Sequence, residues 1–156
     1  DGYMVDWRNE STFGHRRIIL SNWLGPIGLG STGEDGASCM QNMSGTGDAG
    51  RAWTAWPPDG IVPVQAFSPT RWDTLDDTGW SVQSERIDLS NATVTVTVAG
   101  TPMAVEVAPL TGNHGARYGL RIVPAGWTTT AGDTYDVSVT GIDPPISYSV
   151  QVVDCG

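Results

Sequence analysis

The chain has no lysine, and only two cysteines and two histidines among its 156 residues. All eight cationic side chains are arginine, set against 17 acidic ones, for a net charge of −9. Nucleic acids and anionic membrane surfaces select for a basic footprint, so neither is expected as a partner. The lack of lysine is a compositional bias to which no chemistry is assigned. No apolar run reaches the length of about 18 residues that a spanning helix needs, so no membrane span is expected. Runs of the Gly-x-Ser-x-Gly, P-loop, dinucleotide-fingerprint and His-Glu-x-x-His types are all missing. No catalytic residue is therefore nominated. With two cysteines at most one internal bridge can form. A disulfide between Cys39 and Cys155 is the expected state if the protein is exported, and two buried thiols are the alternative.

What is present is turn-rich. Twenty glycines and ten prolines accompany 39% hydrophobic residues, a balance that suggests a mainly β protein with a real core. From residue 80 onward the sequence has a period of two. Residues 80–83, 93–98, 104–107, 118–123, 135–139 and 146–152 alternate apolar and polar between Gly, Pro and Asp turns. About six strands at this spacing argue for an antiparallel sandwich. Upstream, residues 3–8 read as the tail of a helix. Residues 15–20 read as a buried strand, 27–31 as a strand of little side-chain bulk and 37–43 as a third strand. Residues 51–58 are proline-rich and read as extended. Trp53 and Trp56 in that stretch are expected to wedge two units together. The boundary is placed between residues 57 and 70, giving units 1–60 and 65–156.

Several side chains carry chemistry. His15 is a candidate ligand or cavity residue, and Trp7, Glu10 and Arg16 are candidate binding residues around it. Arg16 and Arg17 would alternate on a strand, one pointing inward, where Asp6 or Glu10 would pair with it. Asp73, Asp76 and Asp77 form an acidic turn, with a calcium loop as the alternative.

The run from Trp7 to Leu20, with Gly14-His15-Arg16 at its centre and Ile27-Gly28-Leu29-Gly30 after it, resembles the second half of a bacterial-type CAP (SCP-like) domain. The spacing from Trp7 to His15 is two residues longer than the family pattern. The resemblance implies that His15 faces a central cavity, with Glu10 as a cavity acid. It also implies that a divalent metal such as Zn²⁺ binds only if an upstream half supplies further ligands. The Gly132-Asp133-Thr134-Tyr135 turn resembles the tyrosine corner of immunoglobulin-like sandwiches, with Tyr135 buried and Val137 and Val139 on one inner face.

Taken together these resemblances imply a mainly β protein: a partial α/β CAP-like sheet at 1–60, then an Ig-like or fibronectin-like β-sandwich at 65–156. They further imply a secreted or cell-envelope protein acting as a non-enzymatic binding or assembly module. The alternatives are a metal-dependent hydrolase-like protein completed by an upstream half, and a structural subunit of an extracellular assembly. The chain opens on Asp1 rather than Met, which reads as a processed or partial product. Residues 1–43 hold apolar side chains that need covering, Phe13, Ile18 and Leu29 among them. An N-terminal half or a neighbouring subunit is expected to cover them.

Overall fold

The computed structural model describes residues 2–33, 38–42, 44–68 and 73–156. The alternating segments become strands because each presents one apolar face to a common core. In the second half these are β5 (Trp80–Ser84), β6 (Thr93–Val98), β7 (Thr101–Met103), β8 (Val105–Pro109), β9 (Tyr118–Pro124), β10 (Thr134–Thr140) and β11 (Ile146–Val153). Two earlier strands join them, β3 (Thr54–Trp56) and β4 (Gly60–Pro63). One sheet has the order β3-β5-β9-β8 and is antiparallel throughout. The other has the order β4-β11-β10-β6-β7, antiparallel except where β4 runs parallel to β11. The protein is thus mainly β.

The core lies between these sheets. Tyr135, Val137 and Val139 of β10 point inward with Val150 and Val152 of β11, and they meet Trp80, Val82, Leu120 and Ile122 of the other sheet. Trp80 sets its ring edge-on to Tyr135 at 5.6 Å between centroids. Tyr135 is buried, and its hydroxyl accepts the Thr130 N–H at 2.9 Å. That bond closes the turn into β10. Between the inward residues Asp136 is exposed and Ser138 half-buried.

Strand β5 departs from the alternation, since all five of its residues are buried. Its inner face meets the core. Its outer face, with Ser81 and Gln83, is covered by the N-terminal segment. That segment begins with α1 (Gly2–Val5), turns at Asp6 and Arg8 with positive φ, and forms α2 (Gly14–Ile19). Residues 15–20 were expected as a strand, and this is corrected. The buried positions are Phe13, Gly14, Arg16 and Arg17, which stand at i, i+1, i+3 and i+4 and share one helical face. The apolar triplet 18–20 is only half-buried. The helical period is carried by arginines, which a hydrophobic count does not register.

The expected strand at 27–31 is β1 (Gly28–Ser31). It pairs antiparallel with β2 (Ser38–Gln41), from Gly28↔Gln41 to Ser31↔Ser38. Residues 37 and 43 of the expected third strand lie outside the described residues. The hairpin leaves and rejoins the body at one point, where Leu24 bridges Thr46. Glycines make this neck possible. A Cβ on Gly25 would lie 2.8 Å from the carbonyl carbon of Gly45, and one on Gly47 would collide with the Leu24 oxygen.

Strand pairing also crosses the expected boundary between units, because β3 belongs to one sheet with β5 and β4 to the other with β11. Trp53, from that junction, packs its ring 5.3 Å from that of Tyr148.

Candidate functional site

The site is built around Asp6. Its backbone is left-handed, with φ at 54°, at the end of α1, which turns the carboxylate back under the start of α2. Phe13, the residue before α2, provides no side-chain cap. Asp6 supplies the missing acceptor, since its Oδ2 takes the Arg16 N–H at 3.1 Å. Its Oδ1 accepts from His15 Nδ1 at 2.8 Å and from the Asn9 amide at 3.1 Å. Asp6 is buried, whereas the His15 side chain is 60% exposed. The imidazole is therefore anchored at Nδ1 and turned outward at Nε2. Tyr3 flanks it, with ring centroids 5.5 Å apart.

The pair opens on a cleft of about 910 Å³. Tyr3, Trp7 and His15 form one wall, and Leu29, Cys39 and Met40 of the hairpin form the other. Two of the sequence candidates, His15 and Trp7, thus meet in one cavity. The Arg8 guanidinium covers the Trp7 ring at 4.1 Å from its centroid. Glu10 does not line the cleft. It accepts the Arg8 N–H at 2.9 Å and so closes its own turn.

Arg16 lies behind the cleft and is fully buried. The expectation that one of the two arginines points outward while the other pairs with a carboxylate is corrected. Both are buried, and both guanidinium groups are held by neutral oxygens. Arg16 donates to the carbonyls of Met4, Val5 and Gly79 and to the Ser81 hydroxyl. Arg17 donates to the carbonyls of Thr12, Thr111, Gly112 and Ala116. Burying an ion costs several kcal/mol. Four charge-assisted bonds at about 1.5–3 kcal/mol each offset that cost. Burial pushes Arg16 down to about 9, with the Asp6 carboxylate opposing and Arg121 reinforcing the shift. It remains a cation at neutral pH. The two arginines fasten α1, α2 and the outer face of the β-sheet into one unit, and so hold the cleft wall in place.

The second histidine, His114, packs beside Gly14, the residue before His15. A Cβ on Gly14 would lie 3.6 Å from its ring. Among the described residues no group of three or more His, Cys, Asp or Glu side chains converges to hold a metal ion. The donor set of the described residues therefore does not by itself fit a zinc ion, for which three or four ligands are needed.

Cys39 and Cys155 are both free and exposed, and the expected disulfide is not formed in this structure. Cys39 stands on the hairpin, which pairs with neither larger sheet, and Cys155 lies beyond the end of β11. The acidic turn divides its carboxylates among separate tasks around α3 (Leu75–Thr78). Asp77 exchanges bonds with Thr74 at the helix start, and the Thr74 hydroxyl pulls its carboxyl below the ordinary range. Burial raises Asp73. Asp76 is buried and accepts from the Trp80 indole and from the N–H and hydroxyl of Thr129.

Sequence reasoning nominated Asp6 only as a counter-ion for arginine. Its role as the His15 anchor depends on three left-handed backbone positions, Asp6, Arg8 and Phe13, and no spacing rule encodes that. No protein-family model, curated protein or solved structure matches this chain.

Proposed function

We propose that this chain is a non-enzymatic binding or assembly module of the cell exterior or envelope, in which an immunoglobulin-like sandwich carries a CAP-like segment. The observation that carries the reading is the β1–β2 hairpin. Among the described residues its outer edges pair with no other strand, and Leu29 stands 72% exposed at the rim of the His15 cleft. Tyr3, Trp23 and Ile27 are also exposed in this segment. Unpaired strand edges with exposed apolar side chains are the means by which one chain adds to another. An N-terminal half or a neighbouring subunit is the partner this surface suits.

The strand orders support the sandwich half of the reading. The order β3-β5-β9-β8 follows the A-B-E-D order of immunoglobulin-like domains. In the other sheet β11-β10-β6-β7 follows G-F-C-C′. Tyr135 then sits at the F-strand corner, and the buried Val82 and Val137 stand in the middle of strands B and F. A strand order of this kind specifies a fold and no activity.

One observation favours the hydrolase-like alternative. A histidine whose Nδ1 is fixed by a carboxylate is oriented for ligation through Nε2. Ligands from another segment would have to complete such a site.

Analytical ultracentrifugation of the wild type and of Leu29→Asp tests the assembly reading, alone and with the polypeptide encoded upstream supplied in trans. Association that Leu29→Asp weakens at least tenfold is expected. A wild-type chain that stays monomeric alone and with a large molar excess of that polypeptide, indifferent to the substitution, would refute it. Zinc titration by calorimetry, with His15→Ala as control, separates the alternative.

A further inference from the structure

Among the described residues, two buried amide oxygens have no hydrogen-bond partner, Oδ1 of Asn22 and Oε1 of Gln83. Their orientation is set by the other end of each amide. The Asn22 amide nitrogen donates to the Arg51 carbonyl, and that of Gln83 donates to the Arg17 carbonyl at 3.1 Å. Neither amide can therefore flip without losing a bond it already makes. Both residues line one small cavity of about 10 Å³, together with Thr54, Ser84 and Ala116. That is about the volume of a single water-sized probe. Leaving a buried acceptor unmade is costly, and two such acceptors on one water-sized cavity make a donor-poor site.

We propose that this cavity binds one structural water molecule, which donates one hydrogen to Asn22 Oδ1 and the other to Gln83 Oε1. The stoichiometry fits, because water has two donors and the site offers two orphaned acceptors. Asn22 belongs to the turn between α2 and the hairpin, and Gln83 to β5 of the sandwich. The water therefore links the segment that carries the cleft to the sheet that supports it, beside the Arg17 clamp. A cation would satisfy the same oxygens, and the experiment separates the two.

The test uses the intact chain. A crystal structure at high resolution should show one peak within about 2.7–3.2 Å of both oxygens. Water-to-protein rotating-frame Overhauser peaks should appear at the backbone amides of Gly115 and Ala116, and should vanish in Asn22→Val. Because that variant could fold poorly, the wild-type peaks stand as an independent readout. A direct protein donor on either oxygen, coordination distances near 2.4 Å that mark a cation, or missing Overhauser peaks would each overturn the proposal.

Discussion

Replacing Arg17 by methionine tests the clamp between α2 and the sandwich. Methionine keeps much of the side-chain volume and removes the charge along with all its donors. Four carbonyls lose their partner, those of Thr12, Thr111, Gly112 and Ala116. The Ala116 oxygen is buried and would lose about 1–3 kcal/mol. The other three bonds are partly open to solvent, and water can replace them at about 0.5–1 kcal/mol each. Relief from burying the cation returns part of the loss. The net expectation is a destabilisation of about 2–4 kcal/mol, a large share of the 5–15 kcal/mol typical of a domain. Urea denaturation followed by tryptophan fluorescence should show a lower midpoint with an unchanged slope. Arg17→Lys should recover less than half of the loss, because an ammonium cannot fork across four carbonyls. A methionine variant within 0.5 kcal/mol of wild type, or a lysine variant equal to wild type, would show that the guanidinium geometry is not what joins the two parts.

Three further outcomes are expected. Gly115→Ala should cost about 2–4 kcal/mol, measured by the same denaturation, because Gly115 has φ of 71° and a Cβ there would collide with the Arg17 carbonyl. Tyr148→Phe should be neutral or stabilising by up to about 1 kcal/mol, since the Tyr148 hydroxyl is buried with no partner among the described residues. Burial, with the Asp59 charge, pushes the Tyr148 hydroxyl above its ordinary range. The folded chain then retains a proton that the unfolded chain loses near pH 10, so stability is intact below about pH 10 and falls as pH rises beyond it. Tyr148→Phe should shallow that alkaline slope, leaving the smaller share of Tyr135, which burial also raises. Asp6→Asn should cost about 1–3 kcal/mol through the lost Arg16 and His15 contacts, while His15→Ala should stay within about 0.5 kcal/mol because its ring is exposed. Equal losses from both would place the stabilising role in the imidazole.

The mainly β character of the second half was legible because its strands bury alternate side chains of the expected type. Val137 and Val139 advertise an inward face, and Asp136 an outward one. Tyr135 could be placed because its turn residues precede it directly. The N-terminal segment was not legible by the same means. Arg16 and Arg17 are buried polar residues whose partners are backbone carbonyls up to 99 positions away, and carbonyls leave no mark in a sequence. Ser81 and Gln83 are the polar positions of an alternating strand, and α2 buries them. His15 and Trp7 could be nominated as neighbours of a cavity. Which side chain anchors the histidine depended on the backbone turning left at Asp6, Arg8 and Phe13, three positions where the residue type gives little warning.

The neck at Leu24 and Thr46 has a consequence for how this molecule can change. A segment whose two ends already touch can be lengthened, shortened or exchanged with little effect on the strands beyond it, because closing a loop becomes more costly only slowly with its length. The far wall of the cleft is therefore a replaceable panel, while the wall that carries His15 is bolted through two arginines to the sheet. Divergence among proteins built this way would be concentrated in residues 25–45, altering what the cleft accepts while the histidine and the carboxylate behind it stay where they are.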